Sequence, residues 1–133
     1  MSSVVRLLTH TPHGVLLVRR APSESLAGLL EMPGGKADWI AKTGVFEELP
    51  VALAREVGEE TALRLAGSPR HLYSLSYRSP SGKQTTAHVF ACETSGQIAL
   101  SSEHDTYTYW QPGTPLPENL TDTTRAALVK LSV

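Results

Sequence analysis

The chain has 133 residues, of which 41% are hydrophobic, and these values are typical of one domain with a sizeable buried core. Twelve basic residues are nearly balanced by thirteen acidic residues, which argues against a nucleic-acid polymer or an anionic membrane as the main partner. The chain has no apolar run long enough to span a membrane, no secretory signal at its start and only one cysteine, Cys92. We therefore expect a cytoplasmic protein with one domain over residues 1–133.

The first half of the chain reads as short strands followed by a helix. Residues 3–9 and 14–20 are rich in leucine and β-branched residues, and the turn residues Pro12 and Gly14 between them predict a hairpin. From about Glu48 to Ala62 the apolar positions follow a helical period, which predicts the central helix.

The second half of the chain shows the same change from strands to a helix. Residues 70–78 and 85–94 alternate as strands do, and the loop 79–84 predicts a second hairpin. Residues 107–110 predict an aromatic strand, and residues 121–131 combine a Thr or Asp cap with a helical period. This order of elements predicts an α/β fold, in which helices pack on a mixed β-sheet.

Three glutamates crowd one face of the predicted central helix. At about 100° per residue, Glu56, Glu59 and Glu60 fall within an arc of roughly 100°. Glu60 also borders the apolar stripe, where a carboxylate beside two others is unfavourable unless a positive charge neutralises it. Arg55 cannot balance three carboxylates, whereas a divalent cation such as Mg²⁺ prefers oxygen ligands and commonly shares them with substrate phosphates. The alternative is a solvated, salt-bridged helix face, and the cluster alone leaves both open.

The residues around this cluster resemble the signature of the Nudix hydrolases. Residues 33–36 are Pro-Gly-Gly-Lys, Glu47 precedes Arg55 by eight positions, and residues 55–60 read Arg-Glu-Val-Gly-Glu-Glu, with Leu63 at the last apolar position. With the predicted strands on either side, the resemblance covers the whole chain. It implies the Nudix α/β/α sandwich, with a mixed β-sheet between helices.

The sequence departs from the family pattern at two places. Eleven residues separate Gly35 from Glu47 where the family has five, so the loop before the helix should be larger. Ala62 replaces a glycine near the end of the helix, where glycine would relieve a left-handed conformation. We expect the helix either to run further or to end in a different way. Neither change removes a carboxylate, so the metal site should survive.

The resemblance implies a metal-dependent enzyme, with Mg²⁺ as the cofactor and Mn²⁺ as a substitute. On that basis Glu56 and Glu60 are the principal metal ligands, and Glu59 is a third or water-mediated ligand. Arg55 and Glu47 correspond to the family's ion pair, which ties the loop to the helix and orients the ligands.

The general base is less defined than the metal ligands. The resemblance implies either Glu59 or an acid on a loop before an aromatic strand, and residues 101–110 resemble that segment. Glu103 is the favoured candidate for base or extra ligand, with Asp105 or His104 as substitutes. The alternative is that Glu103 is an ordinary acid of a surface loop.

Candidate substrate contacts lie in two places, at residues 34–36 and at the end of the predicted strand 14–20. A carbonyl of the Gly34-Gly35 turn would complete the metal shell, and Lys36 would contact a phosphate unless it is simply a solvated lysine. Arg19 and Arg20 end a strand, so one should point to the sheet face and the other away from it. Either one is a candidate for a phosphate or base contact.

The resemblance implies hydrolysis of a nucleoside diphosphate linked to another group. Nucleoside triphosphates or oxidised nucleotides, cleaved to the monophosphate and pyrophosphate, are favoured for so small a chain. A nucleoside diphosphate sugar of the ADP-ribose type is the alternative substrate. A silent, nucleotide-sensing domain is the alternative of another class, although it should have lost metal carboxylates. Trp39 and Ile40 in the enlarged loop offer an apolar surface for a homodimer, and Trp39 could instead cover the substrate.

Overall fold

The computed structural model describes residues 2–40 and 42–131. Both ends of the expected domain, and Ala41 in the enlarged loop, lie outside the described residues. The strands are β1 (Ser2–Leu8), β2 (His10–Thr11), β3 (Gly14–Arg20), β4 (Leu30–Glu31), β5 (Gly34–Lys36), β6 (Trp39–Ile40), β7 (Val45–Phe46), β8 (Arg64–Leu65), β9 (Arg70–Arg78), β10 (Gln84–Ala91), β11 (Thr94–Ser95) and β12 (His104–Trp110). The helices are α1 (Leu49–Thr61) and α2 (Asp122–Leu131). Within the described ranges, neither helix is long and apolar enough to cross a membrane.

Two four-stranded sheets form the centre of the fold. The first has the strand order β5-β1-β10-β9, and in the second β3 pairs with β12, β2 and β4. β1 runs parallel to β10, with Ser2 opposite Thr85 and Leu8 opposite Ala91. The other pairs in both sheets are antiparallel. The predicted mixed pairing is confirmed.

The side chains of the central strands point alternately to two faces. One face packs against α1 and the other against α2. One buried cluster combines strand residues with α1 residues: Leu7, Leu16, Phe90, Ala52, Leu53 and Val57. The other combines the neighbouring strand positions with α2 residues: Leu8, Leu17, Val89, Ala127 and Leu128. Because successive strand residues point to opposite faces, each strand contributes to both clusters. This arrangement is the predicted α/β/α sandwich, which is confirmed.

The predicted first hairpin is wrong in its extent. Among the described residues before the turn, His10 and Thr11 are the ones that pair with β3, opposite Val15 and Gly14. β1 instead pairs with β10 and β5 in the other sheet. Turn residues determined the chain reversal, but β1 and β3 each bury apolar side chains on both faces. Such strands need covering on each side, and each becomes an inner strand of its own sheet.

The other predicted elements are confirmed, with small changes at their ends. β9 and β10 form the expected antiparallel hairpin, and the aromatic strand begins earlier, at His104. α1 spans Leu49–Thr61, with Glu48 before it. Ala62 itself takes the left-handed conformation, with φ of 64°, and its N–H donates to the Gly58 carbonyl at 3.0 Å. The helix therefore ends as the family pattern has it, without the glycine.

The enlarged loop folds into a small hairpin of its own. β6 pairs with β7, so that Trp39 lies opposite Phe46, and their rings meet edge to face at 5.2 Å. At the base of the hairpin, the Glu47 N–H donates to the Asp38 carbonyl at 2.8 Å. Trp39, Ile40, Val45 and Phe46 are all exposed. The homodimer expected from this surface stays a prediction.

Replacing Ala62 by glycine should stabilise the protein. A Cβ in the left-handed region is strained, and the relief should exceed the extra entropy of an unfolded glycine, for a net gain of about 0.5–1 kcal/mol. Urea denaturation measures the free energy of unfolding. The matched control is Ala66→Gly, at a position without positive φ, which should lose stability. If both variants lose stability equally, the conformation at Ala62 carries no strain.

Candidate functional site

The glutamate face of α1 opens onto a cleft of about 360 Å³. β5, β1 and the segment before β12 form its other walls. Its acidic lining residues are Glu24, Glu56, Glu60 and Glu103, and its basic ones are Arg6, Arg20 and Lys36. Residues that the sequence predicted as metal ligands, base and phosphate contact thus meet in one concave surface.

Glu60 carries the most deeply buried carboxylate on the glutamate face of α1, with 5% of its side chain exposed. Its Oε1 accepts a hydrogen bond from the Gly34 N–H at 3.1 Å. Burial raises the Glu60 pKa to about 7, although the Arg6 charge and the Gly34 N–H both favour the charged form. The carboxylate is therefore only partly ionised near neutral pH, and a cation bound beside it would favour the ionised form.

The two glycines of β5 allow the backbone to approach the glutamates closely. A Cβ on Gly35 would overlap the carboxylate of Glu56, and a Cβ on Gly34 would overlap the Val5 carbonyl. Burial also raises the pKa of Glu56, against the Arg55 charge. The Gly34 carbonyl accepts a hydrogen bond from Arg6 at 3.3 Å, so the predicted carbonyl ligand would share that oxygen if it is Gly34.

Arg55 links the enlarged loop to α1. Its Nη2 lies 2.5 Å from Glu47 Oε1, and it also donates to the Lys36 carbonyl at 2.9 Å. Its Nη1 donates to Glu56 at 3.0 Å and to Glu59 at 3.0 Å. The hydrogen bond to Glu47 is the main reason why the pKa of Arg55 rises and that of Glu47 falls. The ion pair predicted between Arg55 and Glu47 is present in the structure.

Backbone hydrogen bonds fix the loop that carries Glu103. The Ser101 N–H donates to the Glu60 carbonyl at 3.0 Å, and the Ala21 N–H donates to the Glu103 carbonyl at 2.9 Å. This places ligand atoms of Glu60, Glu103 and His104 within 4.8 Å of one another. Glu103 is exposed to solvent, and its role as base or extra ligand stays a prediction.

Sequence reasoning missed a buried charge network next to the glutamates. Glu31 accepts from Arg20 Nη1 at 3.0 Å, lies 3.5 Å from Arg6 Nη2 and contacts His104 Nε2 at 2.8 Å. Burial opposes ionisation of Glu31, but the two arginines and the histidine together lower its pKa to about 2. The one available signal was a glutamate at position 31 among Leu30, Met32 and other apolar residues.

His104 has one satisfied and one unsatisfied ring nitrogen. Nε2 contacts Glu31, whereas the buried Nδ1 has no hydrogen-bond partner among the described residues and lies 4.0 Å from Glu60 Oε1. A buried polar atom without a partner is unfavourable, and at a functional site such an atom indicates a group still to be bound. The sequence had offered His104 only as a substitute for Glu103.

Three other candidates, Glu59, Asp105 and Arg19, are not among the residues that line the cleft. Glu59 is held by Arg55 and is not among the lining residues. Asp105 accepts two hydrogen bonds from Arg19, at 2.8 and 3.1 Å, on the exposed side of β3 and β12. Arg20 instead lines the cleft, as expected for one of Arg19 and Arg20, because neighbouring side chains of a strand point to opposite faces. Metal or base roles for Glu59 and a substrate contact for Arg19 remain predictions.

A family model described as NUDIX domain matches residues 2–129, so the chain belongs to the NUDIX family. Among solved structures, the chain is similar to a MutT NUDIX hydrolase from Burkholderia pseudomallei, at 25% identity and a TM-score of 0.80, over 96% of this chain and 95% of that one. It is also similar to a MutT protein from Methanosarcina mazei Go1, at 25% identity and a TM-score of 0.79, over 98% and 91% of the two chains. These matches define a Nudix-type pyrophosphohydrolase.

A third structure, the E. coli ORF135 protein, shares the fold at 23% identity and a TM-score of 0.75, over 98% of this chain and 87% of that one. None of the curated proteins matches the sequence significantly.

Replacing Arg55 by glutamine should lower the free energy of unfolding by about 1–3 kcal/mol, because partly buried carboxylates lose their shared cation. Urea denaturation at pH 7 measures the change. The control is Arg64→Gln, which removes an exposed arginine of β8 and should change stability by less than about 0.5 kcal/mol. Equal losses in the two variants would show that Arg55 does not hold the loop to α1.

Proposed function

We propose that the protein hydrolyses a nucleoside diphosphate linked to another group, in a reaction that depends on Mg²⁺ or Mn²⁺. The observation that carries this proposal is the convergence of Glu56, Glu60 and Glu103 on a cleft whose other side presents Arg6 and Arg20. Carboxylates bind a hard cation, and arginines bind phosphate oxygens. The cleft thus offers partners for both parts of a metal–diphosphate complex.

The residues of the cleft fit a divalent cation. Glu60 is a buried carboxylate, and burial raises its pKa to about 7 despite the nearby Arg6 charge. The Nδ1 of His104, which has no hydrogen-bond partner among the described residues, lies 4.0 Å from Glu60 Oε1. Glu56 and Glu60 would hold the ion, with Glu103 or Glu59 as a further ligand. A bound Mg²⁺ would neutralise phosphate charge and make the attacking water more acidic.

The side chains of the chain itself have distinct parts in this reaction. Glu103 is exposed at the rim of the cleft and would accept the proton of the attacking water. Arg6 and Arg20 would bind phosphate oxygens, and Glu31 holds both guanidinium groups at the wall of the cleft. Arg55 acts indirectly as a positioning residue, because its contact with Glu56 at 3.0 Å orients that carboxylate.

A pocket of about 320 Å³ adjoins the cleft and is suited to the nucleoside. It shares Arg6 and Arg20 with the cleft. Tyr77 and Pro80 offer apolar surface, and the polar side chains at the start of α2 include Asp122. Mixed linings of this kind bind the flat face of a base and hydrogen-bond its edge. This pocket would accept the base of any of the candidate substrates, and a nucleoside triphosphate or an oxidised nucleotide stays the favoured one for so small a chain.

Activity should require both the metal and the cleft carboxylates. We would measure phosphate and pyrophosphate release from nucleoside triphosphates, oxidised nucleotides and nucleoside diphosphate sugars, with Mg²⁺, with Mn²⁺ and with a chelator. Glu60→Gln should weaken metal binding by about 10- to 100-fold and abolish most turnover. Glu103→Gln should lower kcat by about 10²- to 10⁴-fold, because it removes the proton acceptor. Unchanged metal affinity in this variant would leave Glu59 as the further ligand, and weakened affinity would assign that place to Glu103.

The control for these variants is Glu118→Gln, an exposed acid away from the cleft, which should behave as the unaltered protein does. Turnover that survives the chelator or Glu60→Gln would contradict metal dependence. Tight nucleotide binding by calorimetry, with no turnover of any substrate, would instead assign the protein to the silent nucleotide-sensing class.

Gly35→Ala should weaken Mn²⁺ binding by about 10- to 100-fold, because the new methyl group displaces the Glu56 carboxylate. Calorimetry measures the affinity, and circular dichroism verifies the fold. The matched control is Gly58→Ala in α1, the helix that carries Glu56. A Cβ at Gly58 would meet nothing closer than the Leu63 carbonyl at 3.9 Å. If both variants bind Mn²⁺ equally well, the Gly35–Glu56 approach does not shape the metal site.

A further inference from the structure

A second groove, of about 290 Å³, extends from the cleft along the same side of the protein. Lys36 lines both the groove and the cleft. Tyr77 and Pro80 line both the groove and the pocket assigned to the nucleoside. We call this feature the lysine groove, after Lys36 and Lys83, which lie on its two sides. It is continuous with the proposed active site.

Strand register fixes the position of the lysine groove relative to the cleft. On β1, Val4 lies opposite Lys36 of β5, and Ser2 lies opposite Thr85 of β10, two residues after Lys83. Since alternate residues of a strand share a face, Ser2, Val4 and Arg6 form one row. At about 3.3 Å per residue, the groove lies roughly 7–13 Å from Arg6 along that row. An elongated substrate can therefore contact both places.

The charged side chains that line the lysine groove are basic, whereas the cleft combines acidic and basic residues. Lys36, Lys83 and the hydroxyl groups of Ser79 and Ser81 line it, and none of the described residues lining it is a carboxylate. The cleft has four glutamates. Across residues 2–40 and 42–131, neither lysine forms an ion pair. Both charges are thus available to an anion.

Hydrogen bonds hold the loop that carries Lys83 in one shape. The Lys83 N–H donates to Ser79 Oγ at 3.1 Å, and the Lys83 carbonyl accepts from the Ser79 N–H at 2.9 Å. That carbonyl also accepts from Thr85 Oγ1 at 3.1 Å, and the Gly82 N–H donates to the Ser79 carbonyl at 2.8 Å. A loop that is ordered beforehand loses less entropy when it binds a ligand.

We propose that the lysine groove binds an anionic group of the substrate that lies beyond the diphosphate held at the cleft. This inference rests on the proposed function and narrows its substrate class. The preferred substrates carry at least one further phosphate, either as an extension of the polyphosphate chain or as a substituent on the leaving group. Lys83 is then a specificity-determining residue. The Ser79 and Ser81 hydroxyls hydrogen-bond to each other at 2.8 Å, which leaves one of the two O–H groups to donate to the same phosphate.

The test compares matched substrates in the metal-loaded enzyme. One pair is a nucleoside triphosphate and the corresponding tetraphosphate, and the other is a nucleoside diphosphate sugar with and without a phosphate on the distal sugar. Lys83→Gln should raise KM about 3- to 10-fold for the more highly charged member of at least one pair, with kcat nearly unchanged. The affected pair identifies the source of the phosphate. The increase should shrink at high salt.

Lys42→Gln is the charge-matched control, because Lys42 is exposed and lines neither the groove nor the cleft. It should leave the KM of both substrate pairs within twofold. An unselective effect of Lys83→Gln, or no effect on either pair, would overturn the proposal.

A binding measurement separates this inference from the proposed function. Inorganic tripolyphosphate, added to the ¹⁵N-labelled protein, should shift the amide signals of Ser81, Gly82 and Lys83. The tripolyphosphate concentration needed for half of the shift should be about 3- to 10-fold higher in Lys83→Gln. Absence of these shifts would contradict an anion site in the groove. If the enzyme cleaves no nucleotide but the shifts appear, the proposed function fails while the anion site stands.

Discussion

The Arg55 guanidinium holds together three parts of the chain that the fold would otherwise leave separate. It contacts Glu47 at the end of the enlarged loop, the Lys36 carbonyl at the end of β5, and Glu56 and Glu59 on its own helix. The extra loop residues do not disturb this arrangement, because they fold into a hairpin whose two ends meet. The length change is absorbed within the loop, so Glu47 still reaches Arg55 and the orientation of Glu56 is preserved.

Two buried carboxylates on either side of His104 have opposite surroundings. Glu31 has two arginines and the histidine, and its pKa is about 2. Glu60 is buried too, and its pKa is about 7 although the Arg6 charge and the Gly34 N–H both favour the charged form. Burial disfavours ionisation of both carboxylates, but Glu31 directly contacts two arginines and the histidine, whereas the Gly34 backbone N–H donates to Glu60. The protein therefore compensates the charge of Glu31 more fully than that of Glu60, which is where a cation would be stabilised.

The parts of the site that the sequence predicted depend on short spacings. The face shared by Glu56, Glu59 and Glu60 follows from helical geometry, and the division between Arg19 and Arg20 follows from strand alternation. The network around Glu31 was missed because its partners Arg6 and His104 are far away in the sequence. The pairing of β1 with β5 and of β3 with both β4 and β12 brings them together. The first hairpin was wrong for the same reason, because local turn residues do not determine sheet partners.

The distribution of charge along β1 has a consequence for the orientation of the substrate. Arg6 stands beside the glutamates of the cleft, while the row from Arg6 to Ser2 leads towards Lys36 and Lys83. On the proposed function, a cation bound at the glutamates would attract the diphosphate to one end, and the lysines would attract any further anion to the other. A substrate with negative charge at only one of these positions would use only half of this surface. Preference among nucleotides would then follow from the spacing of their negative charges as well as from the shape of the proposed base pocket.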